Sequence, residues 1–127
     1  MNIDNLTIGE VKQLAGLFSE QNNKSSFLKN YIGMYVICRS LNEGVNFGKV
    51  VEIDETGVVL EECRRLYWHK PKETKSSWYE GVANYGLSHN SQISDFTTKV
   101  IVENYSLTLC KEKAIESIKS HETYEQS

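Results

Sequence analysis

The stretch that most constrains the chain is 31–69, YIGMYVICRSLNEGVNFGKVVEIDETGVVLEECRRLYWH. It is rich in β-branched and aromatic residues and carries no stripe at helical spacing, so it predicts three consecutive antiparallel strands. The first covers Tyr31 to Arg39. Ile32, Met34, Val36 and Cys38 fall on one face, and Tyr35, Ile37 and Arg39 on the other. Both faces are largely apolar, which places this strand centrally, with cover on both sides. Asn42, Glu43 and Gly44 mark the following loop, and Phe47 to Ile53 is the second strand. Asp54-Glu55-Thr56-Gly57 is a tight turn in which Gly57 is free to take a positive φ. The third strand starts at Val58. If it runs on through Trp68, Val58, Leu60, Leu66 and Trp68 share a face with Arg64, while Val59, Arg65 and Tyr67 share the other. A β-bulge near Cys63 would swap these sets, so the two arginines do not necessarily face one ligand.

The flanking segments divide the chain into an N-terminal helix (1–19), a flexible linker (20–30), a small β-rich domain (31–119) and a frayed tail (120–127). Thr7 and Glu10 fit a capping box, with Leu6 and Val11 placed as a hydrophobic staple. Val11, Leu14, Ala15 and Phe18 then form an apolar stripe, which Leu17 widens. A helix of about twelve residues is marginal alone in water, so the stripe must dock. Docking on its own sheet and docking on a neighbouring subunit are both open. The expectation is a homo-oligomer with Leu6, Val11, Leu14 and Phe18 at the interface. After the three strands, Lys70 to Ser76 is a loop containing Pro71. Ser77 and Glu80 form a second capping box, and Trp78, Val82 and Tyr85 predict a short helix ended by Gly86, with Leu87 making its hydrophobic contact. Ser88 to Asp95 reads as polar loop. Phe96 to Val102 and Tyr105 to Leu109 alternate as two further strands, and 111–119 reads as a helix with Ala114, Ile115 and Ile118 inward. The fold class is therefore α+β: an N-terminal helix, then a five-stranded antiparallel sheet with short helices.

Charge is unevenly placed. Net charge is −3, yet 64–79 holds Arg64, Arg65, Lys70, Lys72 and Lys75 against Glu73 alone. Such asymmetry marks an anion-facing patch or a solvated loop, and the lysines fit the solvated loop better. Arg64 and Arg65 offer planar donor forks suited to phosphate, and Tyr67, Trp68, Trp78, Tyr79 and Tyr85 offer stacking surfaces. The same residue types serve protein interfaces. The acidic total disfavours RNA or single-stranded DNA as partner. His69, His89 and His121 show no ligand spacing with Cys38, Cys63 and Cys110, so no metal is expected, and the thiols read as free and reduced. No nucleophile elbow or glycine-rich phosphate loop is present. Glu61 and Glu62 read as surface charges, not as a catalytic pair. No enzyme, catalytic residue or cofactor is expected. No apolar run reaches membrane-spanning length, and MNIDNLTIGE lacks the pattern of a signal peptide.

Two resemblances add to this reading. The run Gly48-Lys49-Val50-Val51 followed by Gly57-Val58-Val59-Leu60, within one helix and five short strands, is similar to the first half of the Sm-like small β-barrel motif. The insertion at 69–95 departs from it. The segments Met34-Tyr35-Val36-Ile37-Cys38-Arg39, Gly44-Val45-Asn46-Phe47-Gly48, Val58-Val59-Leu60 and Arg64-Arg65-Leu66-Tyr67-Trp68, with the later Gly86-Leu87-Ser88, resemble a family of small bacteriophage and prophage proteins over about 34–119. That resemblance implies a virus-encoded accessory protein acting in the host cytoplasm and implies no reaction. By class analogy with phage counter-defence proteins, the expected function is sequestration of a nucleotide-derived signal through Arg64, Arg65, Tyr67, Trp68, Trp78 and Tyr85. The alternative is an interaction module that inhibits or adapts a host protein.

Overall fold

The computed structural model describes residues 27–72 and 78–125, without the side chains of Trp68 and Trp78. The expected helix at 6–19 with its capping box and stripe, residues 20–26 of the expected linker, and Ser77 of the second capping box lie outside the described residues. Within them the order is β1 (Tyr35–Ser40), β2 (Gly44–Asp54), β3 (Gly57–Trp68), α1 (Trp78–Tyr85), β4 (Gln92–Ile93), β5 (Thr97–Ile101), β6 (Tyr105–Leu109) and α2 (Glu112–Ser120). The strands form a six-stranded antiparallel sheet with the path β4-β3-β2-β1-β6, and β5 also pairs with β3. The fold is thus α+β, with one strand more than expected.

β5 and β6 lie at opposite margins of this sheet but are joined by residues 102–104 alone. Four strand spacings in a flat sheet would separate them by about 19 Å, while four Cα steps reach only about 14 Å. The sheet must therefore curl. Glu103, at the link, fixes the curl by accepting from Asn42 N at 2.8 Å, Asn42 Nδ2 at 2.9 Å and Glu43 N at 3.2 Å. The Tyr105 hydroxyl adds a bond to Asp54 O at 2.7 Å. β5 and β6 do not pair with each other, so the sheet is not closed.

Curling creates two cores. Val36, Cys38, Val50, Ile53, Val58, Leu60, Cys63 and Ile101 fill the inner one. Ile37, Phe47, Leu66, Val82, Ala83, Leu87, Ile93 and Ile118 fill the outer one, beneath α1 and α2. β1 supplies both cores, with Val36, Ile37 and Cys38 all buried, as its two apolar faces predict. α1 ends at Gly86, whose φ of 94° and N–H bond to Val82 O at 2.9 Å make the expected cap. In α2, Ala114 and Ile118 are buried.

Several expectations are corrected. The first strand begins at Tyr35. Phe27 to Gly33 turns helically instead, with Tyr31 N bonding Leu28 O at 3.0 Å, and this replaces the last residues of the expected linker. Gly57 does not take a positive φ. Its glycine is required by contact, because a Cβ there would stand 2.4 Å from Ile101 O on β5. The turn itself is held by the Asp54 carboxylate, which accepts from Thr56 N at 2.7 Å and Gly57 N at 3.1 Å. Within the expected loop 88–95, Gln92 and Ile93 form β4 against Trp68 and Leu66. The tail is not frayed through Tyr124: Thr123 bridges Ile93 in parallel, and Tyr124 N bonds Ile93 O at 2.9 Å. Two-residue strands and tails carry no periodicity of their own; the open edge of β3 recruits β4, and Ile93 of β4 recruits the tail. No helix among the described residues is long and apolar enough to cross a membrane.

Candidate functional site

β3 is irregular at its centre. Phe47 pairs with Arg64 and Lys49 with Glu61, so β3 carries one residue more than β2 between these pairs. Glu62 absorbs the excess with a φ of 50°, and the register with β5 shifts at the same place, between Leu60 and Cys63. This is the bulge that swaps the two face sets. Cys63 joins Val58 and Leu60 on the inner face, and Leu66 goes to the outer core. Arg64 consequently points outward under α2, and Arg65 points to the opposite face.

The two arginines have different environments. Arg64 is fully buried. Its Nε donates to Ser94 O at 2.8 Å, its Nη1 to Ile118 O at 2.6 Å and His121 O at 2.8 Å, and its Nη2 to Thr123 Oγ1 at 3.1 Å. The Phe96 ring covers the guanidinium, with Cζ 4.5 Å from the centroid. Burial lowers the Arg64 pKa, and the charge of Asp95 opposes that shift. Two of its acceptors lie at the C-terminal end of α2, the negative end of the helix dipole. Four of the five Arg64 donors are thus taken by protein acceptors, which gives this arginine a structural role where a ligand contact was expected.

Arg65 is half-buried. Its backbone is held by Ser94, with Arg65 N bonding Ser94 Oγ at 2.7 Å and Ser94 N bonding Arg65 O at 2.8 Å. Its guanidinium lies against Gly44, where a Cβ would come within 3.4 Å of Nη2. The Tyr67 ring is 6.0 Å from its Cζ. Among the described residues that guanidinium has no side-chain ion pair. Tyr67 is 46% exposed and meets Tyr124 edge-on at 6.4 Å between centroids. Two neighbours were not legible as site residues. Tyr124 belongs to the supposed frayed tail. Lys99 sits on β5, and its Nζ is 3.2 Å from Asn46 Oδ1 and 3.4 Å from Glu43 Oε2. Asn46 is fully buried and lies opposite Arg65 in the β2–β3 register, so Lys99 and Arg65 flank one buried amide. No spacing rule connects 65, 99 and 124; only strand pairing does.

The remaining expected site residues are elsewhere or undescribed. Tyr85 is on α1, over the outer core, with Lys113 Nζ 4.9 Å from its ring centroid. The sheet separates it from Arg65. Tyr79, on the same helix, stacks with Arg39 at 5.1 Å. The side chains of Trp68 and Trp78, and the interface residues Leu6, Val11, Leu14 and Phe18, lie outside the described residues. The thiols are poor nucleophiles. Burial pushes Cys38 and Cys110 up to about 12 and Cys63 up to about 11. No group of His, Cys, Asp and Glu among the described residues is arranged to hold a metal.

Fold and surface together define a small α+β protein built on a curled antiparallel sheet, with one arginine locked into the structure and its neighbour turned to a surface. The chain belongs to the family described as a domain of unknown function, DUF6948, whose model matches residues 33–118. The match includes Arg64, Arg65 and Tyr67 and ends before Tyr124. No curated protein and no solved structure matches the chain.

Proposed function

We propose that the protein is a non-catalytic binding protein that sequesters an anionic ligand bearing an aromatic ring, the chemistry of a nucleotide, on the face formed by Arg65, Tyr67 and Tyr124. The observation that carries this reading is the contrast between the arginines: Arg64 has its donors engaged by protein acceptors, while Arg65 keeps a half-buried fork beside an exposed ring. A phosphate oxygen would meet the Arg65 fork, and a base would lie against Tyr67. The similarity to phage proteins extends the proposal to a counter-defence role, in which a host nucleotide signal is held away from its receptor. The path β6-β1-β2-β3-β5, with its short last link, supports reading the sheet as an open relative of the Sm-like barrel. The outer margins of β5 and β6, unpaired among the described residues, support the proposal of a homo-oligomer.

Calorimetry against a panel of cyclic and linear nucleotides tests the binding reading. Binding tighter than about 100 μM, roughly −5.5 kcal/mol, is expected from the wild type. Arg65→Ala should lose about 1.5–3 kcal/mol of it, the range for hydrogen bonds to charged groups. No binding by the wild type to any member of the panel sinks the proposal. The reading that would replace it is the protein-interaction module, favoured by Val100 and Val102 on the β5 margin, which are 60% and 75% exposed.

A further inference from the structure

On the side where the described chain begins, the inner core is bordered by the partly buried side chains of Leu28, Tyr105 and Leu107. Leu28 packs onto that core from the helical turn. Beside it lies a groove of about 240 Å³ lined by Phe27, Leu28, Tyr31, Tyr105, Leu107 and Leu109. The rim is apolar and uncovered, with Phe27 60% and Leu109 47% exposed. Ile32 and Met34 continue the exposed apolar surface along the same turn.

We propose that this groove seats the chain's own N-terminal segment, through the Leu6, Val11, Leu14 and Phe18 stripe. Composition identifies the occupant. Of the stretches outside the described residues, 73–77 and 126–127 contain no apolar side chain, whereas 1–26 contains the whole stripe. The tether makes the same choice. Residues 19–26 are polar and join Phe18 to Phe27, which is itself on the rim of the groove. Eight extended residues span about 28 Å at most, and a flexible chain of that length averages about 16 Å. Such a tether holds the segment near the groove at an effective concentration in the millimolar range, roughly a thousandfold above a second copy at micromolar concentration. An apolar stripe at helical spacing is a form that apolar grooves accept. Seated there, it covers the partly buried apolar border of the inner core.

Trypsin digestion of the full-length protein, read by mass spectrometry, tests this through cleavage after Lys12, within the stripe, against cleavage after Lys24, in the tether. In the wild type, cleavage after Lys12 should be about tenfold slower than in Leu14→Gln or Leu109→Asp, because each variant places a polar group in an apolar contact. The protection should not change on dilution from micromolar to nanomolar protein. Leu14→Gln leaves the sheet untouched, so it keeps the test decisive even if Leu109→Asp perturbs folding. Equal cleavage after Lys12 in the wild type and Leu14→Gln overturns the proposal. Protection that fades on dilution also overturns it and assigns the groove to a second copy.

Discussion

Arg64 Nη1 lies 2.6 Å from the carbonyl oxygen of Ile118, which ties the middle of β3 to the last turn of α2. The same nitrogen reaches His121 O at 2.8 Å, and Nη2 reaches Thr123 Oγ1 at 3.1 Å. One side chain therefore caps a helix, anchors the tail and spreads its buried charge over carbonyl dipoles in place of a carboxylate.

Arg64→Ala should be a stability mutation. It leaves the Ser94, Ile118 and His121 carbonyls short of their donor and opens a cavity, and breaking a buried charged network of this kind costs about 3–5 kcal/mol. Urea denaturation would measure it. Arg64→Lys should rescue little, because one ammonium lacks the planar fork. Deleting 121–127 removes two of the same bonds, so its cost and that of Arg64→Ala should fall well short of additive. Additive costs would mean that Arg64 and the tail act independently.

Arg65→Ala, by contrast, should unfold within about 0.5 kcal/mol of the wild type, as surface substitutions do. Its effect should appear in ligand titrations, where Arg65→Lys recovers only part of the loss. A large shift in the urea midpoint for Arg65→Ala would contradict this division between the two arginines.

Gly57→Ala should destabilise despite an ordinary backbone conformation. The added methyl would sit 2.4 Å from Ile101 O, so β5 must move away from β3. Overpacking of this kind costs about 1–3 kcal/mol. Thermal unfolding reads the loss, and amide exchange should rise first in β5. A neutral substitution would show that the β3–β5 contact yields freely.

Acid should loosen the curl before the cores. Glu103 is held down to about 2 from an ordinary 4.5, chiefly by the Ser40 hydroxyl and then by the Asn42 and Glu43 donors. A carboxylate depressed on folding stabilises above its unfolded pKa, and that stability is lost as pH falls through the folded value. The loss attributable to Glu103 therefore lies between about 4.5 and about 2. Glu103→Gln should flatten the pH dependence of stability in that window. An unchanged acid limb would remove Glu103 as its source.

The β5 and β6 margins carry the assembly prediction. Neither contains proline, and the one lysine of β5, Lys99, is turned to Glu43 and Asn46. Edges so little protected invite pairing with another copy. Light scattering should give a multiple of 14.5 kDa. Val100→Lys with Val102→Lys should shift it toward the monomer. A wild-type monomer at micromolar concentration would refute the assembly.

How much of this was legible depended on how local its cause was. Strands β1 to β3, the α1 cap at Gly86 and the inward face of α2 followed from periodicity and turn chemistry, which act over a few residues. β4 and the ordered tail did not, because Gln92–Ile93 become strand-like only on meeting the open margin of β3, and Thr123 only on bridging Ile93. Turn chemistry marks Gly57 as free to take a positive φ, yet its constraint comes from Ile101, far along the chain. Most consequential is Glu62. Side chains alternate with a period of two, so a single extra residue reverses every face beyond it. Alternation along a strand makes two adjacent arginines face apart, and that much is local. Which of them is buried depends on the register of β3 against both β2 and β5, a matter of contacts distant in the chain, and that register buries Arg64 and turns Arg65 to the surface.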